Sequence, residues 1–155
     1  MDFQDTKEFD GIQRGLQNLF QLHKTLLSEF HPDIGPAGLN QTHWRSLMYI
    51  ADSGSECMTG VGRHVGLEAG SFTPVADRLI TEGLVERISD SRDRRRTLLK
   101  ITDTGELTVK ELKRMMKAHF ADKLSVLSEK QLGNLAEGMT TISEINRILQ
   151  DNNNE

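Results

Sequence analysis

The stretch "LVERISDSRDRRRTLLKI" (84–101) admits few architectures. Two short apolar runs, "LVERI" (84–88) and "RTLLKI" (96–101), read as strands, and "SDSRDRR" between them reads as their connection. The outcome is a β-hairpin with a strongly basic tip. Residues 84–100 carry six cations (Arg87, Arg92, Arg94, Arg95, Arg96, Lys100) against three anions (Glu86, Asp90, Asp93). The segment is therefore +3 and the remaining chain −7, which together give the formal −4 of the whole. Gathering positive charge on a protruding tip costs free energy through self-repulsion, so an anionic partner is its natural explanation. Arginine suits that task better than lysine, because its planar fork enters a narrow minor groove and bridges phosphates. The competing reading is a solvated hairpin in which Asp90 and Asp93 neutralise their arginine neighbours.

Elsewhere the apolar residues follow a helical period. Phe9, Ile12, Leu16, Leu19, Phe20, His23, Leu26, Leu27 and Phe30 predict one face of a long helix over 9–30. "HPDIGPAGLN" (31–40) must end it, since its prolines and glycines cannot continue a helix. Asn40 or Thr42 then caps a second helix through "HWRSLMYIA", which "DSGS" (52–55) closes. A short helix is expected around 58–65, weakened by Gly60 and Gly62 at roughly 1 kcal/mol each against alanine. "EAGSFTPVADRLITEG" predicts a further helix, entered through Ser71 or Thr73, with Pro74 in its first turn and Gly83 as its stop. After the hairpin, Thr102 caps a helix starting at "DTGEL", and Ser128 with Gln131 forms a capping box for the last helix.

The expected fold is mainly α with a small β-hairpin wing: a winged helix-turn-helix lobe at 40–103, with dimerisation helices at 9–30 and 104–150. Residues 1–155 form a single domain on this reading. The recognition helix falls at 70–82, its N-terminal turn aimed at a DNA major groove. There the hydroxyls of Ser71 and Thr73 are candidates for phosphates or base edges, or in Ser71's case for a helix cap. Val75, Ala76, Leu79 and Ile80 should pack inward, leaving Asp77 and Arg78 exposed. The end helices carry more apolar face than a lone chain of this size can cover, which predicts an intertwined homodimer.

Other classes find less support. No apolar stretch is long enough for a membrane span, and the acidic start "MDFQDTKEFD" has no signal-peptide pattern. The single Cys57 gives no intrachain disulfide and fits a reducing cytoplasm. No catalytic triad, carboxylate pair or phosphate-binding glycine loop emerges, so an enzyme is not expected, and no cofactor is implied. His23, His31, His43, His64 and His119 have no metal-ligand spacing. Cys57, near a helix start, is read as packing before it is read as a redox switch. His23, Trp44 and Met48 are candidates to line a cavity for a small aromatic effector, with ordinary core filling as the alternative. The rival function is a winged-helix adaptor whose wing meets an acidic protein partner.

At "HVGLEAGSFTPVADRLITEGLVERISDSRDRRRTLLKITDTG" (64–105) the chain resembles the MarR-type transcriptional regulators. The resemblance rests on "DRLITEGLVER", the wing "DSRDRRR" and the strand-to-helix exit "KITDTG". "LNQTHWRSLMYI" is similar to the family's second helix, with His43 where glutamine is frequent. The flanking helices fit its dimerisation region, so the likeness spans nearly the whole chain. It implies a homodimer that binds palindromic double-stranded DNA, usually represses, and often lets go when a small molecule binds. It places Ser71, Thr73 and Arg78 on the recognition helix, and Arg92, Arg94 and Arg95 at the wing tip, with Asp93 orienting an arginine. Pro74 departs from the arginine or polar residue of many members. "GSFTP" is similar to the "GTLTP" turn of a branch that includes organic-peroxide sensors, whose first-helix cysteine is absent from residues 9–30.

Overall fold

The computed structural model describes residues 6–68, 70–91, 93 and 96–152. Its elements run α1 (Lys7–Leu27), α2 (Gln41–Ser53), β1 (Ser55–Cys57), α3 (Met58–His64), α4 (Thr73–Thr81), β2 (Val85–Ser89), β3 (Thr97–Ile101), α5 (Asp103–Leu124) and α6 (Glu129–Asn152). The expected order is present, with one addition. β1 lies where only a helix-closing turn was expected, and it completes a three-stranded antiparallel sheet in the order β1-β3-β2. Its three residues show no alternation of burial. They become a strand because β3 offers an edge, pairing Ser55 with Lys100 and Cys57 with Leu98.

The chain divides into two compact units. One holds the described residues up to Phe30 and from Lys117 onward; the other is His31–Met116.

The second unit contains the buried core. Leu47 and Ile50 of α2, Val61 of α3, Ala76 and Leu79 of α4, and Leu99 of β3 have no exposed surface. α2 starts where Asn40 accepts hydrogen bonds from the amides of Thr42 and His43, as its sequence predicts. α4 stops at Gly83, whose φ of 69° lets the Gly83 and Leu84 amides return to Ile80 and Leu79. Thr102 then joins three elements. Its amide donates to the Leu84 carbonyl, its hydroxyl donates to the Gly83 carbonyl at 2.6 Å, and the same hydroxyl accepts from the Gly105 amide to cap α5. Gly105 is buried against that junction: a Cβ there would lie 2.1 Å from the Leu84 carbonyl oxygen. Only glycine lets α5 leave the sheet so closely.

In the first unit, α1 is capped by Thr6 and ends at Leu27, earlier than the expected 30. Ser28 is extended and Glu29 has a φ of 64°, so the chain has already left the helix before the proline-rich stretch. Phe30 instead sits tilted against the His119 ring at 5.2 Å, while His119 Nε2 lies 2.9 Å from the Leu26 carbonyl. The Ser128–Gln131 capping box opens α6 as expected. No residue of α1 or α6 is buried.

Candidate nucleic-acid interface

The helix-turn-helix is α3, the turn and α4. Phe72 anchors the turn: it is 3% exposed, and a Cβ on Gly62 of α3 would stand 3.1 Å from its Cβ. The glycine that costs α3 helix propensity thus lets the turn dock against it. This is what the sequence reading missed, having seen in Gly62 only a weakness. With Phe72 turned inward, its neighbours Ser71 and Thr73 face solvent.

α4 begins at Thr73, not at 70 as expected, because Gly70 has a φ of 88° and lies outside any helix. Neither Ser71 nor Thr73 caps it. The N-cap is Phe72, which gives no side-chain hydrogen bond, and Pro74 occupies the first turn as expected. Among the described residues the hydroxyls of Ser71 and Thr73 have no hydrogen-bond partner, so both are available at the exposed helix start. Ala76 and Leu79 are buried and Val75 and Ile80 half-buried, which fits the inward face expected for α4.

Arg78 is exposed, yet it has partners. Its guanidinium donates to the Ala37 carbonyl at 3.0 Å and pairs with Glu82 at 2.7 Å, tying α4 to the 31–40 segment. Partial burial of His43, and after it the Arg78 charge, hold the His43 pKa below the ordinary histidine value. Arg87, counted above with the basic hairpin, bonds Asp77 of α4 at 2.6 Å. Nothing in the spacing of Asp77 and Arg87 announced that pair, since it depends on how β2 lies against α4.

The wing strands pair from Val85–Ile101 to Ser89–Thr97. Beyond them the Asp90 amide reaches the Arg96 carbonyl, and the Arg96 amide reaches Asp93, so the hairpin continues toward its tip. Arg92, Arg94 and Arg95 lie outside the described residues.

This geometry has counterparts among known proteins. Residues 39–97 match the model of the MarR family. The HTH-type transcriptional regulator FarR of Neisseria gonorrhoeae is 30% identical over 94 residues, 61% of this chain and 64% of FarR, so the match spans just under two thirds of that relative. The HTH-type transcriptional repressor MdtR of Bacillus subtilis is 28% identical over 121 residues, 78% of this chain and 76% of its own. Wild-type MarR of E. coli in its apo form shares the fold at a TM-score of 0.69 and 19% identity, over 84% of this chain and 95% of that one. Over residues 39–97 the chain is similar to the MarR family, and its fold is that of E. coli MarR.

Both curated relatives are HTH-type transcriptional regulators. Among the described residues, no group of three or more His, Cys, Asp or Glu side chains could hold a metal ion. No helix among them is long and apolar enough to cross a membrane. Cys57 is half-buried, closes β1 and precedes α3, with its Sγ 3.3 Å from the Thr59 hydroxyl oxygen. The three candidates for an effector cavity are divided between the units. His23 is exposed on α1, while Trp44 is buried and Met48 half-buried on α2. The Trp44 ring lies over Gly35, where a Cβ would meet it at 3.4 Å.

Proposed function

We propose that this chain is a DNA-binding transcriptional regulator, acting as a homodimer and repressing from a palindromic operator. The observation that carries the reading is the start of α4. Two hydroxyl side chains, Ser71 and Thr73, are exposed there and unengaged, because the intervening Phe72 is buried. A helix end of this kind is suited to the major groove. Arg92, Arg94 and Arg95, in the sequence between the two wing strands, supply charge for an adjacent minor groove or its phosphates. Arg78 adds positive charge to α4 while bracing the 31–40 segment. Repression is supported by the likeness to MdtR.

Dimerisation sets the separation of the two α4 helices, and the exposed apolar faces of α1 and α6 are the surfaces that support it. A small aromatic effector, with His23, Trp44 and Met48 as its contacts, would act by preferring one spacing of those helices over another.

The test is selection of bound duplexes from a random pool, followed by a salt titration on the recovered site. A two-fold site is expected, with affinity falling steeply as salt rises. Arg94→Ala should make the slope of log affinity against log salt shallower by about one. Failure to prefer any duplex over competitor DNA would instead favour a protein-binding adaptor.

A further inference from the structure

Beside the wing, within the unit His31–Met116, an open cleft of about 510 Å³ lies between α3 and the start of β3. Arg63 of α3 and Arg96 at the wing's base both line it. Both side chains belong to exposed residues, and among the described residues neither forms an ion pair. The remaining arginines of α4 and β2 are engaged, Arg78 with Glu82 and Arg87 with Asp77. Two uncommitted guanidiniums in one cleft are unexpected in a chain of net charge −4.

The cleft's carboxylate does not serve them. Glu56 is folded back so that its Oε1 accepts the Cys57 amide at 2.7 Å. Gly60 makes that possible, since a Cβ there would come within 2.7 Å of the same oxygen. The wall that carries Arg63 is braced by α2. The ring of His64 stacks on Tyr49 at 3.8 Å and 8°, and Arg45 donates to the His64 carbonyl, so α2 holds the end of α3 that carries Arg63.

We propose that Arg63 and Arg96 together grip a sugar-phosphate oxyanion of bound duplex at this cleft. The inference rests on the DNA-binding reading above. When a helix enters the major groove and a wing the neighbouring minor groove, a phosphate strand runs between them. The protein surface linking helix-turn-helix to wing must then face phosphates. Among the described residues, Arg63 and Arg96 are arginines on that link that form no ion pair. A guanidinium pair matches a phosphate's several acceptor oxygens, and neither arginine needs to read a base.

Anisotropy titrations of the full chain over a range of potassium chloride concentrations test the idea, using a selected site and an unrelated duplex. Arg63→Ala/Arg96→Ala should make the salt slope shallower by about one and weaken both duplexes by the same factor. Arg63→Lys/Arg96→Lys should restore most of the slope, and the alanine pair should melt at the wild-type temperature. An unchanged slope in a folded alanine pair overturns the proposal, as does loss confined to the selected site. A second arm adds inorganic phosphate without DNA. Stabilisation that the alanine pair abolishes, with an unchanged DNA slope, would show that the cleft takes a free anion and not the duplex. A wild-type protein that binds no duplex would sink the underlying DNA-binding reading, a result distinct from all of these.

Discussion

Arg87 of β2 donates to Asp77 of α4 across 2.6 Å, so the wing and the proposed recognition helix are joined by one side-chain pair. Both partners are about half exposed, at 47% and 54%, which limits what the bond gives to stability. An exposed pair contributes on the order of 0–1 kcal/mol. Asp77→Ala should therefore lower Tm by no more than about 4 °C. Its effect on DNA affinity should be larger, several-fold, because Arg87 is freed to swing and the wing loses its tie to α4. A double-mutant cycle with Arg87→Ala separates the contributions. A coupling near zero in affinity would mean that the pair does not orient the wing.

Gly105 makes a sharper demand. Its would-be Cβ lies 2.1 Å from the Leu84 carbonyl oxygen and 2.7 Å from Ile101 Cγ1, and the first of these is backbone that cannot swing aside. Gly105→Ala would force α5 off the sheet and break the Thr102 hydrogen bonds to Gly83 and Leu84. Overpacking at a site this tight costs about 3 kcal/mol or more. The variant should melt far below wild type by circular dichroism, or fail to accumulate in soluble form. Gly133→Ala, on α6 with nothing within 4 Å of the added carbon, is the matched control and should not be destabilised.

These two cases mark what the chain's letters convey. Local signals were readable: Asn40, Thr102 and Ser128 cap the helices their types predict, and Gly83 stops α4. Both wing strands fall within a residue of their expected places, since each is a short apolar run bounded by turn or charged residues. What could not be read depends on a partner distant in sequence. β1 is a strand only because β3 lies beside it, and Gly62 is a virtue only because Phe72 docks there. Ser71 and Thr73 are exposed at the start of α4, and the cap expected of them is missing. Arg78 is exposed on the recognition helix as expected, but its bond to the Ala37 carbonyl spans 41 residues, beyond any local pattern.

His43 should make stability depend on pH. Its Nδ1 lies 3.2 Å from the Asn40 amide and 2.7 Å from Asn40 Oδ1, inside the capping box of α2. Partial burial first, and the Arg78 charge second, hold its pKa below the 6.5 of an unfolded histidine. A depressed histidine pKa means that the unfolded chain binds the proton more readily. The contribution is thus fully present above pH 6.5 and is lost as pH falls through the folded-state value. Protonation also makes Nδ1 a donor, exchanging acceptance of the Asn40 amide for a bond to Oδ1 alone. Tm measured from pH 7.5 down to 5 should fall further for wild type than for His43→Gln, which keeps an acceptor without a titrating group. Parallel curves for the two proteins would remove His43 from the account.

The faces of α1 and α6 provide the last test. Ile12, Leu16 and Phe20 recur every four residues along α1 and are 52%, 62% and 72% exposed. On α6, Ile142, Ile145 and Leu149 are 42%, 50% and 57% exposed. Burying a side chain of this size contributes about 1.5–3 kcal/mol, so stripes of this length favour a second copy of the chain over water. A two-fold interface repeats every change, and one glutamate therefore places two charges in the contact. Phe20→Glu should sediment as a monomer at micromolar concentration while keeping most of its helical circular dichroism. On the proposed reading a palindromic site needs two α4 helices at fixed separation, so that monomer should lose nearly all preference for the selected duplex over competitor. It should keep the weak, salt-sensitive attraction that its wing arginines supply. A Phe20→Glu protein that stays dimeric would place the interface elsewhere, and a monomer with undiminished preference would detach operator recognition from dimerisation.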